Sequence, residues 1–134
     1  MLIYDDIRFK LNNMKPKLSD LRQALDLDKG QEEIAALEKQ SAEPGFWDDP
    51  ANSQKVLQRI KQLKDKAAHY AALTTMYEDV VTTIEMAEEM EDESLFPEVQ
   101  EGFKRTEAEL ERQTLTTLLS GEYDANNAIL SFHA

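Results

Sequence analysis

A chain of 134 residues with 41% hydrophobic and 31% charged residues has the composition of about one globular domain, not of a disordered segment. Its net charge of −12 argues against broad, sequence-independent adhesion to nucleic acid, which needs a basic surface, while leaving room for a local basic contact. With no cysteine there is no disulfide framework and no thiolate metal site, which fits a cytoplasmic protein. The opening residues MLIYDDIRFK lack the basic and apolar regions of a signal peptide, and no apolar run nears the ~20 residues that cross a bilayer.

Ile3, Ile7, Leu11, Met14, Leu18, Leu21 and Leu25 step by three and four, the spacing that puts one helical face against a core. A first amphipathic helix is expected from about residue 2 to 25. Pro16 lies inside it. Proline has no N–H to donate and clashes with the carbonyl four residues back, so a kink or a break into two short helices is expected there. Asp26-Leu-Asp28-Lys-Gly30 reads as a turn. Ile34 and Leu37 begin a second helix that runs to about Glu43.

Glu43-Pro-Gly-Phe-Trp-Asp-Asp-Pro50 is the clearest punctuation in the chain. Pro44-Gly45 is a turn pair. Asp49 before Pro50 marks a helix start: the carboxylate accepts from the free N–H groups of the first turn, and proline at the first helical position loses nothing. Phe46 and Trp47 are expected to pack under the turn. An exposed Trp47 would instead be an anchor for a partner.

From Pro50 one long helix is expected. Val56, Ile60, Leu63, Ala67, Tyr70, Tyr77 and Ile84 repeat at steps of three, four or seven, with Leu73, Val80, Val81 and Ala87 widening the stripe. Some 40 residues at ~1.5 Å rise make a rod of about 60 Å. That is too long for a compact core helix and points to a coiled-coil-like hairpin or bundle arm. Periodicity does not separate pairing within the chain from pairing across a dimer, so self-association stays open. The helix tail carries Glu85, Glu88, Glu89, Glu91, Asp92 and Glu93, which oppose the helix dipole; fraying is expected near Glu91 and a stop by Ser94.

Ser94 is placed to cap a fourth helix, with Pro97 in its first turn. Leu95, Val99, Phe103, Leu110 and Leu118 mark its buried face, with Thr106 and Thr114 on the same side. Gly102 weakens it by about 1 kcal/mol relative to alanine, and Gly121 ends it. Then the period changes. Ala128, Leu130 and Phe132 face one way and Ile129, Ser131 and His133 the other, the alternation of a strand. A lone strand is not stable, so the chain is expected to stop inside a sheet it does not contain. The expected fold class is mainly α: an elongated antiparallel helical bundle with a long coiled-coil-like helix, plus a C-terminal β-strand. Residues 1–120 form the helical domain, and 121–134 the first strand of a truncated β-rich one.

Few side chains suggest chemistry. Lys55, Arg59, Lys61, Lys64 and Lys66 lie on flanks of the long helix. They suit contact with RNA phosphates, or a solvated flank whose stems cover apolar surface; charge runs of this kind are more often the latter. The acidic run from Glu85 to Glu93 is read as a solvated helix end, with a basic protein partner as the alternative. His69 follows Asp65 by four residues, the spacing of a weak ion pair, and has neither a second histidine nor a cysteine beside it to hold a metal. Asp26-Leu-Asp28-Lys-Gly30 is not a calcium loop: its glycine is one place early, and the twelfth position is Leu37 rather than a glutamate. No nucleophile set and no phosphate-cradling glycine loop is found, so no catalytic residue and no cofactor is expected.

Three segments carry more. Leu21-Arg-Gln-Ala-Leu-Asp-Leu-Asp28, Glu43-Pro-Gly-Phe-Trp-Asp-Asp-Pro50 and Leu119-Ser-Gly-Glu-Tyr-Asp-Ala-Asn-Asn-Ala-Ile-Leu-Ser-Phe-His-Ala134 resemble the N-terminal part of bacterial class I peptide chain release factors of the type that reads UGA and UAA. The resemblance covers nearly the whole chain. It implies a helical domain ahead of a β-rich codon-reading domain and a domain bearing a Gly-Gly-Gln tripeptide, which helps water hydrolyse the peptidyl-tRNA ester. It also implies contact with the stalk base of the large ribosomal subunit and a bearing on the partner GTPase that recycles the factor. Neither Gly-Gly-Gln nor the codon-reading Ser-Pro-Phe occurs here, so no catalytic or codon-reading residue carries over. The competing reading is a stand-alone helical coiled-coil adaptor that binds a protein partner.

Overall fold

The computed structural model describes residues 1–121. They form α1 (Leu2–Leu25), α2 (Leu27–Ser41), a 3-10 turn (Phe46–Asp48), α3 (Pro50–Glu89) and α4 (Phe96–Leu119). The described residues contain no strand; the strand expected over 123–134 lies outside them.

The seven buried residues of α1, Tyr4, Ile7, Leu11, Met14, Leu18, Leu21 and Leu25, include six of those read from its periodicity. The expected break at Pro16 does not occur: α1 runs through it. Both Pro16 and Asn12, whose carbonyl loses its usual donor, face solvent, so water can take over that bond. The chain breaks instead at Asp26, which adopts the left-handed conformation at φ 50°, a region that aspartate tolerates better than most residues. Even there the ladder persists, with Asp26 N–H donating to Arg22 O at 3.1 Å and Gly30 N–H to Asp26 O at 3.0 Å. The turn expected over residues 26–30 is therefore a joint of one residue, and α2 starts at Leu27.

The Asp49–Pro50 boundary is as read. Asp49 accepts from Asn52 N–H at 3.3 Å, and α3 then continues for 40 residues. Its end falls slightly before the expected one. Glu91 turns left-handed at φ 52°, and Asp92 N–H reaches back to Ala87 O at 2.8 Å, which closes the open carbonyl end. Ser94 does not cap α4. Its N–H and hydroxyl both go to Asp92 Oδ1, at 2.8 and 2.5 Å, and α4 begins at Phe96 with no side-chain cap. Gly121 follows α4 at φ 80°, as expected of a helix stop.

α3 runs antiparallel to the other three helices. Three tyrosines peg the bundle across helix gaps: Tyr4 OH donates to Asp92 O (2.8 Å), Tyr77 OH to Leu11 O (3.1 Å) and Tyr70 OH to Leu18 O (3.0 Å). On the other side Gln113 Nε2 donates to His69 O at 2.9 Å. Gly102 explains how closely α4 approaches α3: a Cβ there would sit 3.1 Å from Val80 Cγ2. α1 and α2 follow one another along α3, whereas α4 reaches only far enough for Ser120 to share a groove with Gln62 and Asp65. The C-terminal half of α3 is thus the centre of a three-helix bundle with the main core. Its N-terminal end packs against α2 and the 3-10 turn, around Phe46, Val56, Ile60 and Leu37. The coiled-coil-like partner of the long helix is supplied within the chain.

Candidate functional site

The two-helix hairpin carries every cation singled out from the sequence. In a helix the residues on one side recur at three and four. Val56, Ile60 and Leu63 form the buried seam of α3; Arg59 lies on one side of it and Lys64 on the other. Each crosses to a carboxylate of α2. Arg59 donates Nε and Nη2 to Glu33, at 2.7 and 3.1 Å, and Lys64 Nζ reaches Glu38 at 3.3 Å. These are the flanking ion pairs of a coiled-coil seam, set beside the apolar residues that hold α2 and α3 face to face. Lys61 pairs along its own helix with Asp65 at 2.7 Å. Lys66 is half-buried beside the seam, and Lys55 is exposed nearer the tip.

The structure does not gather the five into one patch. Lys55, Arg59 and Lys66 share one flank of α3, and Lys61 and Lys64 the other. The hydrogen bond from Arg59 holds the Glu33 carboxyl below its ordinary value, with the charges of Arg59, Lys66 and Lys29 adding to it. The hydrogen bond from Lys61 does the same for Asp65. That pair displaces the expected one: Asp65 is taken by Lys61, and His69 contributes only the weakest of the fields on it. Further along, residues 67–89 contain Glu78, Asp79, Glu85, Glu88 and Glu89 and no lysine or arginine. α3 is basic toward the hairpin tip and acidic toward the bundle. Glu88 at the acidic end is held low by hydrogen bonds from the Met1 amine and from Arg8.

The tip departs most from expectation. Phe46 is buried at 6% exposure, but Trp47 is 65% exposed. Consecutive residues of a 3-10 turn point about 120° apart, so two adjacent aromatics cannot enter the same small core. Phe46 goes in, and the indole stands edge-on to it, with centroids 5.0 Å apart and planes at 88°. Ser53 fastens the turn to α3 by reaching two carbonyls, Phe46 O at 2.6 Å and Asp49 O at 2.9 Å. Beside the indole, Pro50, Gln54, Leu57, Gln58 and Lys61 wall an open groove of about 550 Å3. The signal that locates it in the sequence is the pair of aromatics squeezed between Gly45 and Asp48, which leaves room for one ring inside.

No group of three or more histidine, aspartate or glutamate side chains among the described residues is arranged to hold a metal ion, and none of their helices is long and apolar enough to cross a membrane. The surface offers a shape, an aromatic anchor and flanking charge.

The PCRF domain model matches residues 30–134, a stretch that includes α3, α4 and all of α2 after its first three residues. Similar proteins include peptide chain release factor 2 of Clostridium perfringens (strain SM101), 38% identical over 124 residues, covering 92% of this chain and 34% of that protein. Peptide chain release factor 2 of Lactiplantibacillus plantarum is 37% identical, covering 92% of this chain and 33% of its own length. That of Streptomyces avermitilis is 33% identical, covering 96% and 35%. The chain spans about a third of the length of the curated relatives it matches. Matched over most of its length by one domain model, and similar over about nine-tenths of it to bacterial proteins named peptide chain release factor 2, this chain belongs to the PCRF domain family.

Proposed function

We propose that this chain is the docking domain of a cytoplasmic bacterial release factor, and that it serves translation termination by positioning the factor on the ribosome rather than by chemistry. The observation that carries the proposal is the match of almost the entire chain to peptide chain release factor 2. The shape agrees: a long two-helix arm projects from a three-helix root, and the described residues offer polar flanks and an aromatic tip. In this reading residues 1–120 are the helical domain, and 121–134 open the β-rich codon-reading domain that follows. Selection of UGA and UAA, and peptidyl-tRNA hydrolysis through Gly-Gly-Gln, belong to the longer protein. The partner is the ribosome, at the stalk base of its large subunit, and the recycling GTPase bears on the same domain.

Lys55, Arg59, Lys61, Lys64 and Lys66 remain the cations proposed to face ribosomal RNA. The pairs of Arg59, Lys61 and Lys64 are solvent-exposed. Exposed pairs contribute only ~0–1 kcal/mol, so exchanging a carboxylate for a phosphate costs little. Such binding weakens as salt rises, because each neutralised phosphate releases counterions. The test is co-sedimentation of the chain with purified 70S ribosomes across a salt series, with a peptide-release assay on UGA-programmed ribosomes. Salt-sensitive pelleting without peptide release is expected. Absence of pelleting at low salt, or release by the chain alone, would overturn the proposal.

A further inference from the structure

Trp47 is the sole tryptophan of the chain, and it is displayed rather than stored. Its mount is firm. Phe46 beneath it is buried, the two rings meet edge to face, and the Ser53 hydroxyl ties the turn to the first turn of α3. A ring held in place before its partner arrives loses little freedom on binding. The groove beside it runs from Pro50 to Lys61, a length of about 16 Å or three helical turns. Trp47, Pro50 and Leu57 supply its apolar surface and Gln54 and Gln58 neutral amides, no carboxylate lines it, and Lys61 closes one end.

Two arguments select the occupant. The first is area. A tryptophan this exposed and a Leu57 that is 42% exposed offer on the order of 250 Å2 of apolar surface. A self-sufficient interface buries ~800 Å2 per partner. A second copy of the chain seated here would not hold as a dimer, so the groove fits one contact among several made by a larger assembly. The second is charge. A nucleic-acid strand lays down a phosphate at every nucleotide and calls for a row of cations. This groove has one, on a chain of net charge −12. An apolar floor with neutral amide rims, whose one cation is already paired with Asp65, complements an amphipathic helix with bulky apolar residues on one face.

We infer that the Trp47–Leu57 groove seats such a helix, carried by a protein component of the assembly on which the chain docks; the inference rests on the ribosomal docking proposed above. The experiment replaces Leu57 with the photocrosslinker p-benzoylphenylalanine and irradiates the chain bound to purified 70S ribosomes. In parallel, binding of Trp47→Ala is measured by co-sedimentation, with thermal unfolding of the variant as the folding control. A crosslink to a protein, affinity lowered about tenfold in Trp47→Ala, and an unchanged unfolding midpoint are expected. A crosslink to ribosomal RNA overturns the inference, as does wild-type affinity in Trp47→Ala, and in either case docking itself stands. If the unsubstituted chain fails to pellet with ribosomes, docking falls and takes the inference with it.

Discussion

Replacing Phe46 and Trp47 in turn separates the ring that holds the hairpin tip from the ring that is held out by it. Phe46 is 6% exposed and packs with Val56, Ile60 and Leu37 in a core of its own, apart from the main bundle core. Truncating a buried phenylalanine to alanine costs ~3–5 kcal/mol in a full-sized core. At the end of a two-helix hairpin the walls can collapse into the space, so Phe46→Ala is expected near ~3 kcal/mol, including the loss of an edge-to-face ring pair worth ~0.5–1.5 kcal/mol. Trp47→Ala removes a side chain that is already 65% in water, and is expected to cost no more than the ring pair, about 1 kcal/mol. The assay is urea unfolding followed by two probes. Circular dichroism reports all the helices, while indole fluorescence reports the tip, because Trp47 is the only tryptophan. In Phe46→Ala the fluorescence transition should precede the helical one, since the hairpin core opens as its own unit. Equal destabilisation by the two substitutions would refute the assignment of Phe46 as the structural ring. Coincident transitions in Phe46→Ala would refute the division into two cores.

Two further outcomes follow from contacts along α3. Gly102→Ala should gain ~1 kcal/mol of helix propensity but lose as much or more to the Cβ placed 3.1 Å from Val80 Cγ2. Calorimetry should therefore find no net gain in Gly102→Ala, and a gain once Val80→Ala opens the space for it. The Glu33 carboxyl has its folded pKa lowered from 4.5. Its contribution to stability is therefore complete above about pH 4.5 and lost as pH falls through the lower folded value. Glu33→Gln should flatten that part of the stability–pH curve, and an NMR titration that puts the Glu33 carboxyl at or above 4.5 would contradict the pairing with Arg59.

The helices were legible because each has an apolar stripe spaced by three and four, and because Asp49–Pro50 announces the start of α3 to the residue. What stayed hidden depended on a single dihedral angle or a single competitor. Pro16 does not break α1 because it falls on the wet side, whereas Asp26, with no glycine to advertise it, turns left-handed and does. Ser94 looks like a cap until Asp92 claims its hydroxyl. The candidate surface was half legible. Five cations stand out in the sequence, but that Arg59 meets Glu33 and Lys64 meets Glu38 depends on how far α2 slides along α3, which the short tip connection fixes. The exposure of Trp47 is not legible in the sequence, since adjacent aromatics suggest a core and only the 3-10 turn sends them apart.

The unbroken passage of α3 from tip to root makes it a lever. One close bearing is the point where Gly102 lets α4 close on Val80. Val80 stands 30 residues beyond Pro50 and nine before Glu89, which gives arms of about 45 Å and about 14 Å. With no glycine or proline inside the rod after Pro50 to act as a joint, a sideways push of about 3 Å at the tip corresponds to roughly 1 Å of opposite travel at Glu89. That displacement arrives where Arg8 bonds to Glu88 and Tyr4 to Asp92, above the buried contacts of Tyr4 and Ile7 with Ile84 and Ala87 that join α1 to the end of α3. A load taken at the indole is therefore felt at the far end of the molecule as a shear between α1 and α3.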